Sequence, residues 1–259
     1  MTSHRPAERW QQAQASFGKV LLNEARLAWR TPRGLIFGVG LPAVLVVIFG
    51  ELPKDQVRKS SLGGLTRFSV ELPVLIAFVI AIMALYSLPV PLASYREQGI
   101  LRRLAATPAR PSWVLAAQVV VNLVFALAGL LIVVVVGAAA FGASAPDSLG
   151  GFVVAIALSV AALFAIGLAI AALAGSAAAA HGIGVALLLP LMFFAGLWLP
   201  RQEMTAWLQH VSDYSPLGAA SQAMQVAIQG TFPAAALLLT LAAYAAVFGF
   251  LAARYFRWE

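Results

Sequence analysis

Six stretches of this chain contain no Asp, Glu, Lys or Arg: 34–50, 72–93, 112–141, 149–174, 182–199 and 232–253. Each falls near the length of about 20 residues that crosses a bilayer as a helix. Only 10% of the residues are charged and 61% are hydrophobic, whereas a soluble domain carries about a quarter charged residues. A water-soluble globule is therefore excluded. The stretches are built from Leu, Val, Ile and Ala without period-two alternation, which predicts helices rather than the strands of a membrane barrel. The expected fold is an all-α membrane protein, with six transmembrane helices in one domain over 1–259.

Lys and Arg collect on the cytoplasmic side of membrane spans. Arg5, Arg9, Lys19, Arg26, Arg30 and Arg33 precede the first stretch, Arg96, Arg102, Arg103 and Arg110 follow the second, and Arg254 and Arg257 close the chain. Lys54, Arg58, Lys59, Arg67 and Arg201 fall on the other side, so the count is twelve against five. Both termini and the 95–110 loop are thus expected in the cytoplasm. The first thirty residues carry charges throughout and lack an apolar signal-peptide core, so the N-terminus is expected to be retained. The formal charge of +7 follows from the same asymmetry and makes anionic inner-leaflet lipid the expected partner, not nucleic acid. With no cysteine, neither disulfides nor thiolate metal sites are available.

Before the first stretch, SFGKVLLNEARLAWRTPRG reads as an amphipathic helix, assigned to 12–31. Lys19, Asn23, Arg26 and Arg30 recur at helical spacing, with Phe17, Val20, Leu21 and Ala28 opposite. It is expected on the inner membrane surface with Trp29 at headgroup level, either as a basic anchor or as a docking site for a partner. Thr31-Pro32 ends it, because proline disfavours helical geometry at the residue before it. The 51–67 loop carries no motif. The 174–181 connection makes the fourth and fifth stretches a tight hairpin with His181 at its tip. Residues 200–230 then hold Pro200, an amphipathic piece around Trp207 and Leu208, and Ser215-Pro216, an N-cap and first-turn pair. The helix this pair starts, over 217–229, is about 20 Å long, too short for a hydrocarbon core of roughly 30 Å. It is expected to be re-entrant or interfacial on the outer side, since a seventh span would put Arg254 and Arg257 outside.

Ion-coupled carriers, proton relays and voltage sensors need ionisable residues inside their spans, and these stretches have none. Nor does the chain have a G-x-x-x-x-G-K-[ST] phosphate loop, since Gly18-Lys19 lacks the upstream glycine. Energy for any active transport must come from elsewhere. A hydrolase would need a nucleophile and a base on neighbouring helices, for which Ser176 and His181 are the one pair, without an orienting acid. His4, His181 and His210 lie far apart, so no metal centre is expected. Gln118, Asn122, Ser87, Ser159, Tyr86 and Tyr244 are the sparse polar residues of the stretches; Asn122 either hydrogen-bonds between helices or lines a substrate path. Gly167, Ala171 and Gly175, spaced by four, offer a face for close helix packing.

The segment YREQGILRRLAATP is the longest polar interruption between two apolar runs and predicts a cytoplasmic helix over 95–107. At about 100° per residue, Ile100, Leu101 and Leu104 gather on one face while Arg96, Arg102 and Arg103 spread over the other, around Gly99. Glu97 falls within the apolar face, where a carboxylate needs a basic partner or backbone hydrogen bonds; near a helix N-terminus the dipole alone would also account for it. Thr107-Pro108 and Pro111 set the turn into the third span. A short rigid helix showing aliphatics, one acid and arginines to the cytoplasm suits force transfer from a soluble protein.

YREQGILRRLAATPARPSWVLAAQ resembles the loop signature of the ABC type-2 permeases, roughly E-x-G-x-x-[RK]-x-L-x-x-T-P, matched by Glu97, Gly99, Arg102, Leu104, Thr107 and Pro108. The amphipathic N-terminal helix, the six spans and the proline-led pieces at Leu199-Pro200 and Ser215-Pro216 extend the resemblance over nearly the whole chain. It implies a coupling helix, carried by Glu97, Gly99, Ile100, Leu101, Arg102, Arg103, Leu104, Thr107 and Pro108, that inserts into a separately encoded ATP-binding subunit. Two permeases, identical or related, and two such subunits would form an exporter in a bacterial inner membrane. This chain would then have no catalytic site and no cofactor, with ATP and Mg²⁺ held by the partner.

The loop is similar to that of the drug and antibiotic efflux branch, which implies export of hydrophobic or amphipathic small molecules along a path lined by spans one, two and five. By position, Phe78, Ile82 and Met83 on span two and Met192, Phe193 and Phe194 on span five would face it. Two alternatives stay open: an exporter of lipid or lipid-linked polysaccharide in the same family, and a membrane scaffold without transport activity.

Overall fold

The computed structural model describes residues 6–31, 36–51, 67–105, 111–143 and 145–256, which form helices joined by short connections, with no strand among them. Helix α1 (Pro6–Arg30) is followed by a π-helical turn (Ile36–Gly40) running into α2 (Leu41–Glu51). The second apolar stretch forms α3 (Arg67–Ala81), a π-helical stretch (Ile82–Ser87) and α4 (Pro89–Glu97), after which come the short α5 (Ile100–Ala105) and the long α6 (Pro111–Phe141). Then follow α7 (Leu149–Leu173), α8 (Ala177–Ala195), a 3-10 turn (Arg201–Glu203), α9 (Ala206–Tyr214), α10 (Pro216–Ile228) and α11 (Ala235–Tyr255).

Five helical rods among these residues are long and apolar enough to cross a membrane: Glu71–Glu97, Ser112–Phe141, Leu149–Leu173, Ala177–Ala195 and Ala235–Tyr255. The chain is an all-helical, multi-pass membrane protein. The expected first span is represented by Ile36–Glu51, which is apolar but shorter than the others; its flanks, 32–35 and 52–66, lie outside the described residues. The rod formed by the second stretch begins earlier than that uncharged stretch and takes in Glu71, only 1% exposed. The spans are therefore not wholly free of ionisable groups.

That rod is the centre of the bundle. Every residue over 71–85 is buried, as a helix that is apolar all round requires. Pro73, Pro89 and Pro91 remove backbone donors along it, and over Ile82–Ser87 the winding widens, so that the Leu88 amide donates five residues back to the Met83 carbonyl at 3.0 Å. Two glycines admit this widened stretch. A Cβ on Gly167 of α7 would collide with the Ala84 carbonyl, and one on Gly184 of α8 with the Leu85 carbonyl. The small-residue face read around Gly167 thus serves packing, although Gly175 borders open space.

Around this centre, α7 packs along α10 and α11, α8 along α4 and α10, and α6 carries α1, α2 and α3. Val120, Val124, Leu127, Leu131 and Val135 leave one apolar stripe of α6 exposed, the kind of surface a lipid-facing helix presents.

Helix α8 starts at Ala177, earlier than the stretch beginning at 182. The Ser176 hydroxyl accepts the Ala179 amide at 3.1 Å, and Gly196 closes the other end at φ +95°. His181 consequently lies inside the helix rather than at a hairpin tip. Helix α10 starts as expected, with Ser215 Oγ accepting the Gly218 amide at 3.1 Å. Its residues Leu217, Ala219, Ala220, Ala223 and Met224 are fully buried, which places α10 within the bundle and not along its surface. The preceding α9 is more exposed and is tied back by a two-pronged ion pair between Arg201 and Asp213, at 2.9 and 2.6 Å.

Candidate functional site

Helix α4 ends at Glu97 because Gly99 turns left-handed, at φ +67°, a geometry glycine enters without steric cost. The amides of Gln98 and Gly99 donate back to Ser94 (2.9 Å) and Arg96 (3.0 Å). The helix predicted over 95–107 is thereby divided. Tyr95, Arg96 and Glu97 complete the membrane-spanning rod, and α5 starts only at Ile100. Within α5, Leu101 is 2% exposed and Ile100 half-buried, so Leu101 anchors the helix to its own bundle, beside α6, instead of facing outward. Arg103 is exposed, and its guanidinium donates to the Gln98 carbonyl at 3.1 Å. Thr107 and Pro108, and the side chains of Arg102 and Leu104, lie outside the described residues.

Glu97 does not occupy the apolar face of a coupling helix. It is exposed, and its Oε2 accepts the amide of Ala177, the first residue of α8, at 3.0 Å. Of the partners open from sequence, a basic residue or a backbone hydrogen bond, Glu97 has the second. Beside it, the Arg96 guanidinium donates to the carbonyls of Ala172 (2.8 Å) and Ala174, where α7 ends. Helix starts carry unpaired donors and helix ends unpaired acceptors, with a partial positive pole at the first and a negative pole at the second. Two adjacent side chains of opposite charge therefore grip the two sides of the α7–α8 turn, each matched to the pole it meets.

Tyr95, one residue earlier, points into a cavity of about 320 Å³ lined by α1, the π-helical stretch, α4, α6 and α8. Its hydroxyl donates to Oε2 of Glu24, on α1, at 3.0 Å. The Gln118 amide nitrogen donates to the same oxygen at 2.6 Å, and Asn122 Nδ2 donates to the Gln118 backbone carbonyl at 2.9 Å and to its side-chain oxygen at 3.4 Å. Asn122 thus holds the Gln118 oxygen, which leaves the Gln118 nitrogen for Glu24. Glu24 is only 6% exposed. Burial pushes its carboxyl above the ordinary carboxylate range, against the opposing pull of the hydrogen bonds from Tyr95 and Gln118. The apolar walls include Phe125 and Tyr86; Trp29 stacks on Phe125 with ring centroids 6.5 Å apart, and Tyr86 meets the edge of His181 at 5.0 Å.

Sequence reasoning misses Glu24. Its signal is nevertheless present, because Glu24 lies four residues after Val20 and four before Ala28, on the apolar stripe of the amphipathic helix. The structure confirms that stripe: Glu24 is buried, Phe17, Val20, Leu21 and Ala28 are half-buried, and Lys19, Asn23, Arg26 and Arg30 are exposed.

Of the residues assigned to a substrate path, Asn122 lines the cavity. Phe78, Ile82 and Met83 are packed into the core, and Met192, Phe193 and Phe194 sit half-buried toward the far end of α8, so the structure does not gather the seven around one space. Ser176 caps α8 while His181 faces Tyr86; the two act separately. Among the described residues no three His, Cys, Asp or Glu side chains stand close enough to hold a metal ion. The family model for the ABC-2 type transporter matches residues 16–228, a segment containing the clamp, α5 and Glu24. No curated protein matches the chain.

Proposed function

Because this chain belongs to the ABC-2 type transporter family, a family of membrane components that work with ATP-binding subunits, we propose that a separately encoded ATPase drives it through α5. The single observation that supports this most strongly is the double grip of Arg96 and Glu97 on the α7–α8 turn. A push on α5 pivots at Gly99, reaches α4 directly, and passes through those two side chains to two further membrane helices. ATP and Mg²⁺ belong to the partner, whose contacts would be made by the exposed Arg103 and by Arg102, Leu104, Thr107 and Pro108. On this reading Glu97 and Arg96 transmit force from within the permease and do not touch the motor.

The assembly proposed is two permeases with two ATPases, the permease pair related by a twofold axis. It sits in a bacterial inner membrane with both termini and α5 cytoplasmic, following the excess of Lys and Arg on that side, and with six spans, the first of which includes Ile36–Glu51. Its cargo is a hydrophobic or amphipathic small molecule taken from the inner leaflet.

The test is co-purification with the ATPase, reconstitution, and measurement of substrate-stimulated ATP hydrolysis. Glu97→Ala and Arg102→Glu should insert normally and lose the stimulation. Unchanged transport in both variants would remove the coupling role, and a permease that purifies without any nucleotide-hydrolysing companion would favour a scaffold.

A further inference from the structure

The cavity beside Tyr95 has a composition that packing alone does not call for. Its one carboxylate, Glu24, is more than nine-tenths buried, yet no Lys or Arg is among the described residues lining it. Both groups that bond to Glu24, the Tyr95 hydroxyl and the Gln118 amide, are neutral donors. They satisfy lone pairs without supplying a countercharge, and a buried charge without one is costly. The rest of the wall is largely apolar, with Thr31, Ser87, Asn122 and His181 as its further polar members and the rings of Tyr86, Tyr95 and Phe125 around the same space; aromatic faces attract organic cations. A second cleft, of about 480 Å³, shares Val90, Pro91, Tyr95 and His181 with the first and extends past Ala177 and Ala178. The two spaces thus share a wall, and the second lies beside the turn which Arg96 and Glu97 hold.

We propose that this cavity binds lipophilic organic cations, with the Glu24 carboxylate as countercharge and the aromatic rings of Tyr86, Tyr95 and Phe125 around the apolar body. The inference rests on the export reading only for its physiological meaning, since it names the class of amphipathic cargo; the binding site itself requires no motor. Tyr95 and Gln118 hold the carboxylate in place, and Asn122 fixes the orientation of Gln118. Because Tyr95 and Glu97 belong to the same turn of α4, an occupant leaning on Tyr95 also bears on the residues that grip α7 and α8.

The experiment uses the permease alone in lipid nanodiscs and two probes of matched size and opposite charge, tetraphenylphosphonium and tetraphenylborate, with binding read by titration calorimetry. The wild type should bind the phosphonium and discriminate against the borate. Glu24→Gln keeps an acceptor for Tyr95 and Gln118, so its fold can be verified by thermal melting, and it should weaken phosphonium binding about tenfold or more, the size of a lost charge-assisted contact. Ala28→Leu, which fills the cavity wall without touching the charge, should weaken phosphonium binding as well. Equal affinity of wild type and Glu24→Gln for the phosphonium, or equal binding of both probes by the wild type, overturns the site. Glu24-dependent binding supports it even where the full complex fails to export the phosphonium, a result that would count against the export reading instead.

Discussion

The Glu97 carboxylate accepts the Ala177 amide at 3.0 Å across a separation of 80 residues. The contact places a full negative charge at the start of α8, where the backbone otherwise presents unpaired donors. Removing a side chain that caps a helix start costs about 1 kcal/mol. Glu97→Ala should therefore lower the melting temperature measurably in detergent, and Glu97→Gln, which retains an acceptor but no charge, should fall between it and the wild type. If the alanine variant melts with the wild type, the carboxylate contributes nothing to holding α8.

Gly99 turns the chain from α4 into α5 at φ +67°, and a Cβ built there meets nothing within 4 Å. Any penalty of Gly99→Ala is consequently one of backbone geometry, about 1–2 kcal/mol for a left-handed alanine. Asn tolerates that geometry better, so Gly99→Asn should melt above Gly99→Ala and below the wild type. Identical stability of all three would mean that the turn relaxes without a left-handed residue, and the pivot assigned to Gly99 would be lost.

Apolar helices announce themselves in sequence because the bilayer leaves the backbone no other way to satisfy its hydrogen bonds. Five of the six stretches read from composition therefore return as membrane-length helices, and the Ser215-Pro216 start of α10 is legible from capping chemistry. Ends set by a tertiary partner are harder to read. The break at Gly99 divides a segment whose periodicity runs on without interruption. For Glu97, the segment alone leaves a basic partner, backbone hydrogen bonds and the helix dipole all open, because nothing in its neighbourhood reveals that the amide of Ala177 stands opposite. Glu24 escapes notice for a related reason. The basic residues of α1 define its polar face so clearly that one acid on the other face is lost among them, and its partners Tyr95 and Gln118 come from remote helices. Long apolar runs are local properties, whereas the candidate site is assembled from four separate parts of the chain.

Gly184 packs so tightly against the Leu85 carbonyl that a Cβ there has no room, while Gly249 on α11 has none but open space around it. Gly184→Ala must move either α8 or the widened backbone of span two, and such overpacking costs about 1–3 kcal/mol. Gly249→Ala should be neutral or stabilising by up to about 1 kcal/mol, through the better helix propensity of alanine. Thermal melts of the two variants decide the matter: equal melting temperatures would show that span two is not wedged against α8 through this glycine.

Burial raises the Glu24 carboxyl above its ordinary value of 4.5, so the folded protein holds that proton more tightly than the unfolded chain does. The stability this supplies is complete below the ordinary value and is lost as pH climbs through the raised one. Glu24→Gln has no such proton to lose. The melting temperature of the variant minus that of the wild type should therefore increase between about pH 4 and the raised value and level off above it, in a series run from about pH 4 to about pH 8. Tyr86, Tyr95 and His181, the other titratable groups lining the cavity, are present in both proteins, so to first order their own titration cancels in the difference. A difference that shrinks as pH rises would mean that the hydrogen bonds from Tyr95 and Gln118 outweigh desolvation, with the carboxylate lowered instead of raised. The same series links stability to binding, because a Glu24 that is protonated at the low end also ceases to offer a countercharge, and tetraphenylphosphonium affinity should be lost there in the wild type while Glu24→Gln stays weak throughout.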